Sequence, residues 1–206
     1  MHLRHFVKPC CKAVKEKVDI STDFYFLMAV AIILMPVQWM GAWLLAISVH
    51  ELCHYISLKA CGGKVKGICI SCKGVIMQTE PLPLEKEAVC AYAGPLGALL
   101  ILLIARYLPR TAICTIVFSA YNLLPIFPLD GGRGLGCLLH KFFHEERANA
   151  IQKYIENGVL FCTLLIAVYS VFRLGLGLFP AAVVIFLFWR SKGIKFPCKK
   201  CRLGLQ

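Results

Sequence analysis

Long apolar runs limit what this chain can become. Residues 24–39, 42–58, 88–108, 111–128, 158–172 and 174–189 are nearly continuous in apolar side chains. A bilayer core takes about 20 apolar residues per helix, so the sequence predicts an all-α polytopic membrane protein with about six transmembrane helices. Several runs are short for a crossing and two pairs nearly fuse. The count of six rests on breaks at 36–41 and 173–177, the second supported by Gly175, Gly177 and Pro180. With 59% hydrophobic residues and a mean hydropathy of +0.71 the chain is not an ordinary soluble domain, for which roughly 45 to 50% is usual. The basic start, 1–19, runs into apolar sequence without a small-residue cleavage site and is expected to be retained.

A net charge of +12 would suit nucleic acid, but its distribution argues otherwise. If six helices alternate sides, 20 of the 23 Lys and Arg fall on one side, and Arg106, Arg110 and Arg173 on the other. This is the positive-inside pattern. It predicts both termini in the cytosol of a cell with a bacterial-type cytoplasmic membrane, the lipid bilayer and its anionic headgroups as partners, and no nucleic acid. The 12 cysteines fall in the helices or on the reducing cytosolic side, so no structural disulfide is expected. Cys198 and Cys201 have zinc-knuckle spacing, with Cys10, Cys11, Cys69 and Cys72 as conceivable partners, yet no complete four-ligand pattern appears. His140 and His144 likewise have helical spacing without a third ligand nearby in the sequence.

The second apolar run contains the sequence His50-Glu51-Leu52-Cys53-His54. Ionisable groups are expensive at membrane depth and mark function or a satisfied internal pairing. On a helix, residues four apart share a face, so His50 and His54 can present two imidazoles to one ion, with Glu51 beside them. Imidazole pairs favour zinc, nickel or copper over magnesium or calcium, and a catalytic zinc needs three protein ligands and an open position. Of the 11 Asp and Glu residues, only Glu51 and Asp130 lie within or against the apolar segments away from their charged ends. Asp130 follows Pro125 and Pro128, which break the helix, and precedes Gly131-Gly132, read as a tight turn. A broken helix end can aim a carboxylate at an ion held by another helix.

The HELCH of 50–54, the AGPLG of 93–97 and the NLLPIFPLDGG of 122–132 resemble, in order, the three signature regions of the site-2 protease family of intramembrane zinc metalloproteases. The match spans 45–133. The short chain, the absence of a PDZ insertion and the run LEKEAVCAYAGPL most resemble the sporulation-type branch, whose best known member cleaves a membrane-associated sigma-factor precursor. The resemblance implies His50, His54 and Asp130 as ligands of one catalytic Zn2+, Glu51 as general base and Asn122 near the substrate carbonyl. Ala98 stands where many relatives carry Asn. The chain ends at Gln206 without a nucleotide-sensing domain, so regulation by ATP through such a domain is not expected.

These observations predict a single membrane-embedded metalloprotease domain over 1–206, with a catalytic core at 42–133, a C-terminal helix pair at 158–189 and a cytosolic tail at 190–206. Its partner is a membrane-tethered protein substrate cleaved near the cytosolic face. Residues 62–79, with Gly-Gly and alternating Lys and apolar residues, read as a β-hairpin whose edge could take up an unwound substrate. The small residues Gly94, Gly97 and Ala98 suit close helix packing. Two other functions fit a His and Asp cluster in a membrane: a metal transporter, and a catalytically inactive relative that binds a partner.

Overall fold

The computed structural model describes residues 18–71, 74–174 and 187. In chain order these form β1 (Val18–Ile20), α1 (Thr22–Leu34), α2 (Val37–Ala60), β2 (Val65–Ser71), β3 (Gly74–Thr79), α3 (Leu84–Ala98), α4 (Pro109–Asn122), α5 (Asp130–Phe142) and α6 (Glu145–Leu174). A 3-10 segment, Leu99–Ile104, prolongs α3. The Cys198 and Cys201 pair and the sixth apolar run, except for Leu174 and Leu187, lie outside the described residues.

The chain is mostly helical, and its surface suits acyl chains. Leu84–Ile104 and Glu145–Arg173 are each long and apolar enough to cross a membrane. Large apolar side chains such as Leu103 (83% exposed) and Phe172 (82%) face outward, where water would make them an aggregation liability. Of the other expected spans, α1 and α4 have 13 and 14 residues. At 1.5 Å per residue each is about 20 Å long, short of a core roughly 30 Å thick.

Three expected boundaries are corrected. The break between the first two runs is confined to Met35 and Pro36: Met35 is extended, as the residue before proline prefers, and α2 starts at Val37 with Gly41 inside it. The helix expected from residue 158 begins at Glu145, so the polar stretch before it is part of α6. Gly131 and Gly132 form no tight turn. They lie in the first turn of α5, where the missing Cβ permits close backbone approach: a Cβ on Gly131 would sit 2.1 Å from the Leu123 carbonyl oxygen, and one on Gly132 2.4 Å from the Ile126 carbonyl carbon.

α2 ends where Gly62 takes φ +82 and its N–H bonds the Lys59 carbonyl, a left-handed stop that favours glycine. The chain then enters a three-stranded sheet of order β1-β2-β3. β2 and β3 pair antiparallel from Val65 opposite Thr79 to Ser71 opposite Gly74, and the link between them lies outside the described residues. β1 was not expected. It pairs parallel to β2, Val18 opposite Ile68 and Ile20 opposite Ile70, which leaves β1 and β3 as the two edge strands.

Small residues hold the helices together. Ala42 and Ala46 of α2 pack on Cys114 of α4 beside Trp39 and Trp43. A second cluster joins Ile126, Leu129 and Leu187 to Val159 and Leu160 of α6. α3 lies between α2 and α5 and contacts both, so the histidine helix and the helix that begins with Asp130 share one neighbour.

Candidate metal centre

α2 carries His50 and His54 one turn apart, with ring centroids 4.6 Å apart and planes at 81°. Across 80 residues of sequence, Asp130 enters as the first residue of α5. His50 Nε2, His54 Nε2 and Asp130 Oδ2 form a triangle with every side 3.1 Å. His50 is 2% exposed and Asp130 9%. Among the described residues this is the group of three whose donor atoms could hold a metal ion.

The hydrogen bonds around the triangle orient it. His54 Nδ1 lies 2.7 Å from the Cys90 carbonyl oxygen on α3. A carbonyl only accepts, so Nδ1 donates, and a neutral imidazole then turns the Nε2 lone pair toward the triangle. Two imidazole nitrogens and a carboxylate oxygen so close together attract a cation. Neighbouring donors around a tetrahedral ion at about 2.0–2.2 Å stand roughly 3.3–3.6 Å apart, close to the spacing seen. The donor set suits zinc, nickel or copper better than magnesium or calcium. The residues therefore fit a metal of the expected kind.

Glu51 follows His50 on α2 and is half-buried. It interacts electrostatically with His54, Asp130 and Arg133, which puts it beside the triangle and not in it. Asn122 is buried at the end of α4, where its Nδ2 donates to the Phe118 carbonyl at 3.0 Å. It does not belong to the triangle either.

Four further groups shape the site, and three of them have little or no trace in the sequence. Phe118 lies edge to face on His50, with centroids 4.9 Å apart, and also meets Trp43. The Cys90 carbonyl is main chain and leaves no side-chain signal. Arg133 Nη1 stands 3.8 Å from Asp130 Oδ1, the carboxylate oxygen turned away from the histidines. Gly94 is the most exacting: a Cβ there would lie 2.1 Å from His54 Nε2, within the space of that nitrogen itself. Gly97 comes almost as close to Cys53. The AGPLG run thus contributes absence of bulk where α3 crosses the histidines.

No family model matches the chain. It is 26% identical to the zinc metalloprotease MJ0392 of Methanocaldococcus jannaschii, over 61% of this chain and 41% of that protein. It is 25% identical to stage IV sporulation protein FB of Bacillus subtilis, over 72% of this chain and 56% of that protein. The chain thus spans about half the length of the curated relatives it matches. The solved site-2 protease from Methanocaldococcus jannaschii shares the fold, with a TM-score of 0.61 and 21% identity, covering 85% of this chain and 88% of the other. These matches support the resemblance of the chain to the site-2 protease family.

Proposed function

We propose that this chain is an intramembrane zinc metalloendopeptidase that hydrolyses a peptide bond of a membrane-tethered protein near the cytosolic face of a bacterial-type membrane. The observation that carries this reading is the triangle of His50 Nε2, His54 Nε2 and Asp130 Oδ2, 3.1 Å on each side, with a carboxylate beside it that is not one of its corners. Three protein ligands and an open position are the pattern of catalytic zinc, whereas structural zinc is closed by four. The name of the archaeal relative, a zinc metalloprotease, supports the metal. The likeness to the sporulation protein supports a place near that branch of the family.

His50, His54 and Asp130 would hold the ion. When bound, it supplies Lewis acidity, which polarises a carbonyl and acidifies water. Glu51 takes the proton of the attacking water at its carboxylate and later gives it to the leaving amine. Asn122 uses one amide hydrogen on Phe118. Its other N–H is the donor we assign to the developing oxyanion. A helical substrate hides its peptide bonds in internal hydrogen bonds and must unwind. β3, one of the two edge strands, offers an edge on which an unwound segment can pair.

The test is co-expression with candidate membrane-tethered proteins, wild type beside Glu51→Gln, with mass spectrometry of new chain ends. New ends that appear with the wild type and vanish with Glu51→Gln support the proposal. Equal cleavage by both sinks it.

A further inference from the structure

Asp130 is carried by a helix turn with almost nothing to grip. Gly131, Gly132 and Gly134 allow the first turns of α5 to press on the 123–127 segment and on Tyr92. They also leave those turns without side chains that could interlock with a neighbour. A small rotation or slide of α5 would carry the Asp130 carboxylate out of the triangle. Arg133 is of limited help, since it is half exposed and stands 3.8 Å from Oδ1, beyond hydrogen-bond length.

A side chain of α6 holds the backbone of this turn. Gln152 of α6 is fully buried at 0% exposure, and its Nε2 donates to the Gly132 carbonyl oxygen at 2.9 Å. The acceptor fixes which end of the amide points there, because a carbonyl oxygen cannot face another. Gln152 Oε1 is then buried without a hydrogen-bond partner. An apolar residue of similar length would pack there without that cost, so what the amide adds is its hold on Gly132.

We propose that Gln152 is a positioning residue for Asp130: by holding the Gly132 carbonyl from α6, it fixes the turn that carries the carboxylate and raises the affinity of the His50, His54 and Asp130 site for a divalent metal. This inference rests on the ligand assignment above. It extends the site to a helix that none of the three motifs includes. Outer partners that orient a ligand typically change metal affinity by about 10- to 100-fold when removed.

The experiment uses the full chain in detergent. Gln152→Met keeps the volume and loses the donor, and Gln152→Asn keeps the amide but falls one methylene short of Gly132. Zinc affinity is read by competition with a chromophoric chelator, and coordination geometry from the visible bands of bound Co2+. Both variants should bind zinc about 10- to 100-fold more weakly than wild type, with shifted cobalt bands. Wild-type affinity and unchanged bands in either folded variant would overturn the proposal, whatever the variant does to the melting temperature. Should neither variant fold, the wild type still decides. By reciprocity of linkage, zinc must slow hydrogen exchange of the Gln152 side-chain amide, and exchange indifferent to zinc overturns the proposal. A wild-type protein that binds no zinc overturns the ligand assignment instead, and this inference with it.

Discussion

A Cβ on Gly94 would stand 2.1 Å from Nε2 of His54. No side chain fits between α3 and this imidazole, and the atom it would meet is the one that faces His50 and Asp130. Gly94→Ala must therefore displace the ring or part the helices. We expect metal affinity to fall at least about 10-fold, as for loss of an orienting partner. Gly41→Ala is the control, because a Cβ there meets nothing within 4 Å. In a helix interior that change is worth roughly 0.5–1 kcal/mol of stability and should leave metal binding alone. Wild-type affinity in Gly94→Ala would refute the steric argument.

Metal content tests the ligand set. The purified chain should carry about one zinc, with His50→Ala, His54→Ala and Asp130→Ala each losing it, since an open catalytic site has no ligand to spare. Elemental analysis of the four proteins is the measurement. Full occupancy in all three variants would remove the triangle as the metal centre, and a second equivalent in the wild type would point to Cys198 and Cys201.

Glu51→Gln separates hydrolysis from mere metal handling. The amide is nearly isosteric and Glu51 is not a corner of the triangle, so zinc and fold should be retained. Cleavage should nevertheless drop about 10²- to 10⁴-fold, the usual worth of general acid–base assistance. A transporter that uses only the three ligands would keep its flux. Cleavage of a tethered substrate, measured beside zinc content, decides. Wild-type turnover with zinc in place would show the mechanism to be wrong.

Topology is checked by reporter fusions. Because 20 of 23 basic residues fall on one side of a six-span arrangement, both termini should report from the cytosol. An external C-terminus would mean that one of the short helices, such as α1 or α4, does not cross.

What the sequence determined by itself follows from chemistry that is local along the chain. Apolar runs set the need for lipid, and the four-residue spacing of His50 and His54 put two imidazoles on one helix face, because helix periodicity needs no tertiary information. Asp130 was legible as a candidate because carboxylates are so rare in this chain's apolar segments. Its arrival 3.1 Å from both histidines was decided by packing, through α3 wedged between α2 and α5. The glycines after Asp130 read as a turn in one dimension. In three dimensions they are helical and exclude bulk, a property of the neighbours' backbone that no local pattern encodes. β1 escaped notice because three residues form a strand only when β2, some fifty positions away, supplies the partner. The Cys90 carbonyl that orients His54, and the Gln152 amide that holds Gly132, lie furthest from the sequence. Every residue has a carbonyl and many surfaces have a glutamine, so only the folded chain distinguishes the two that point at the site.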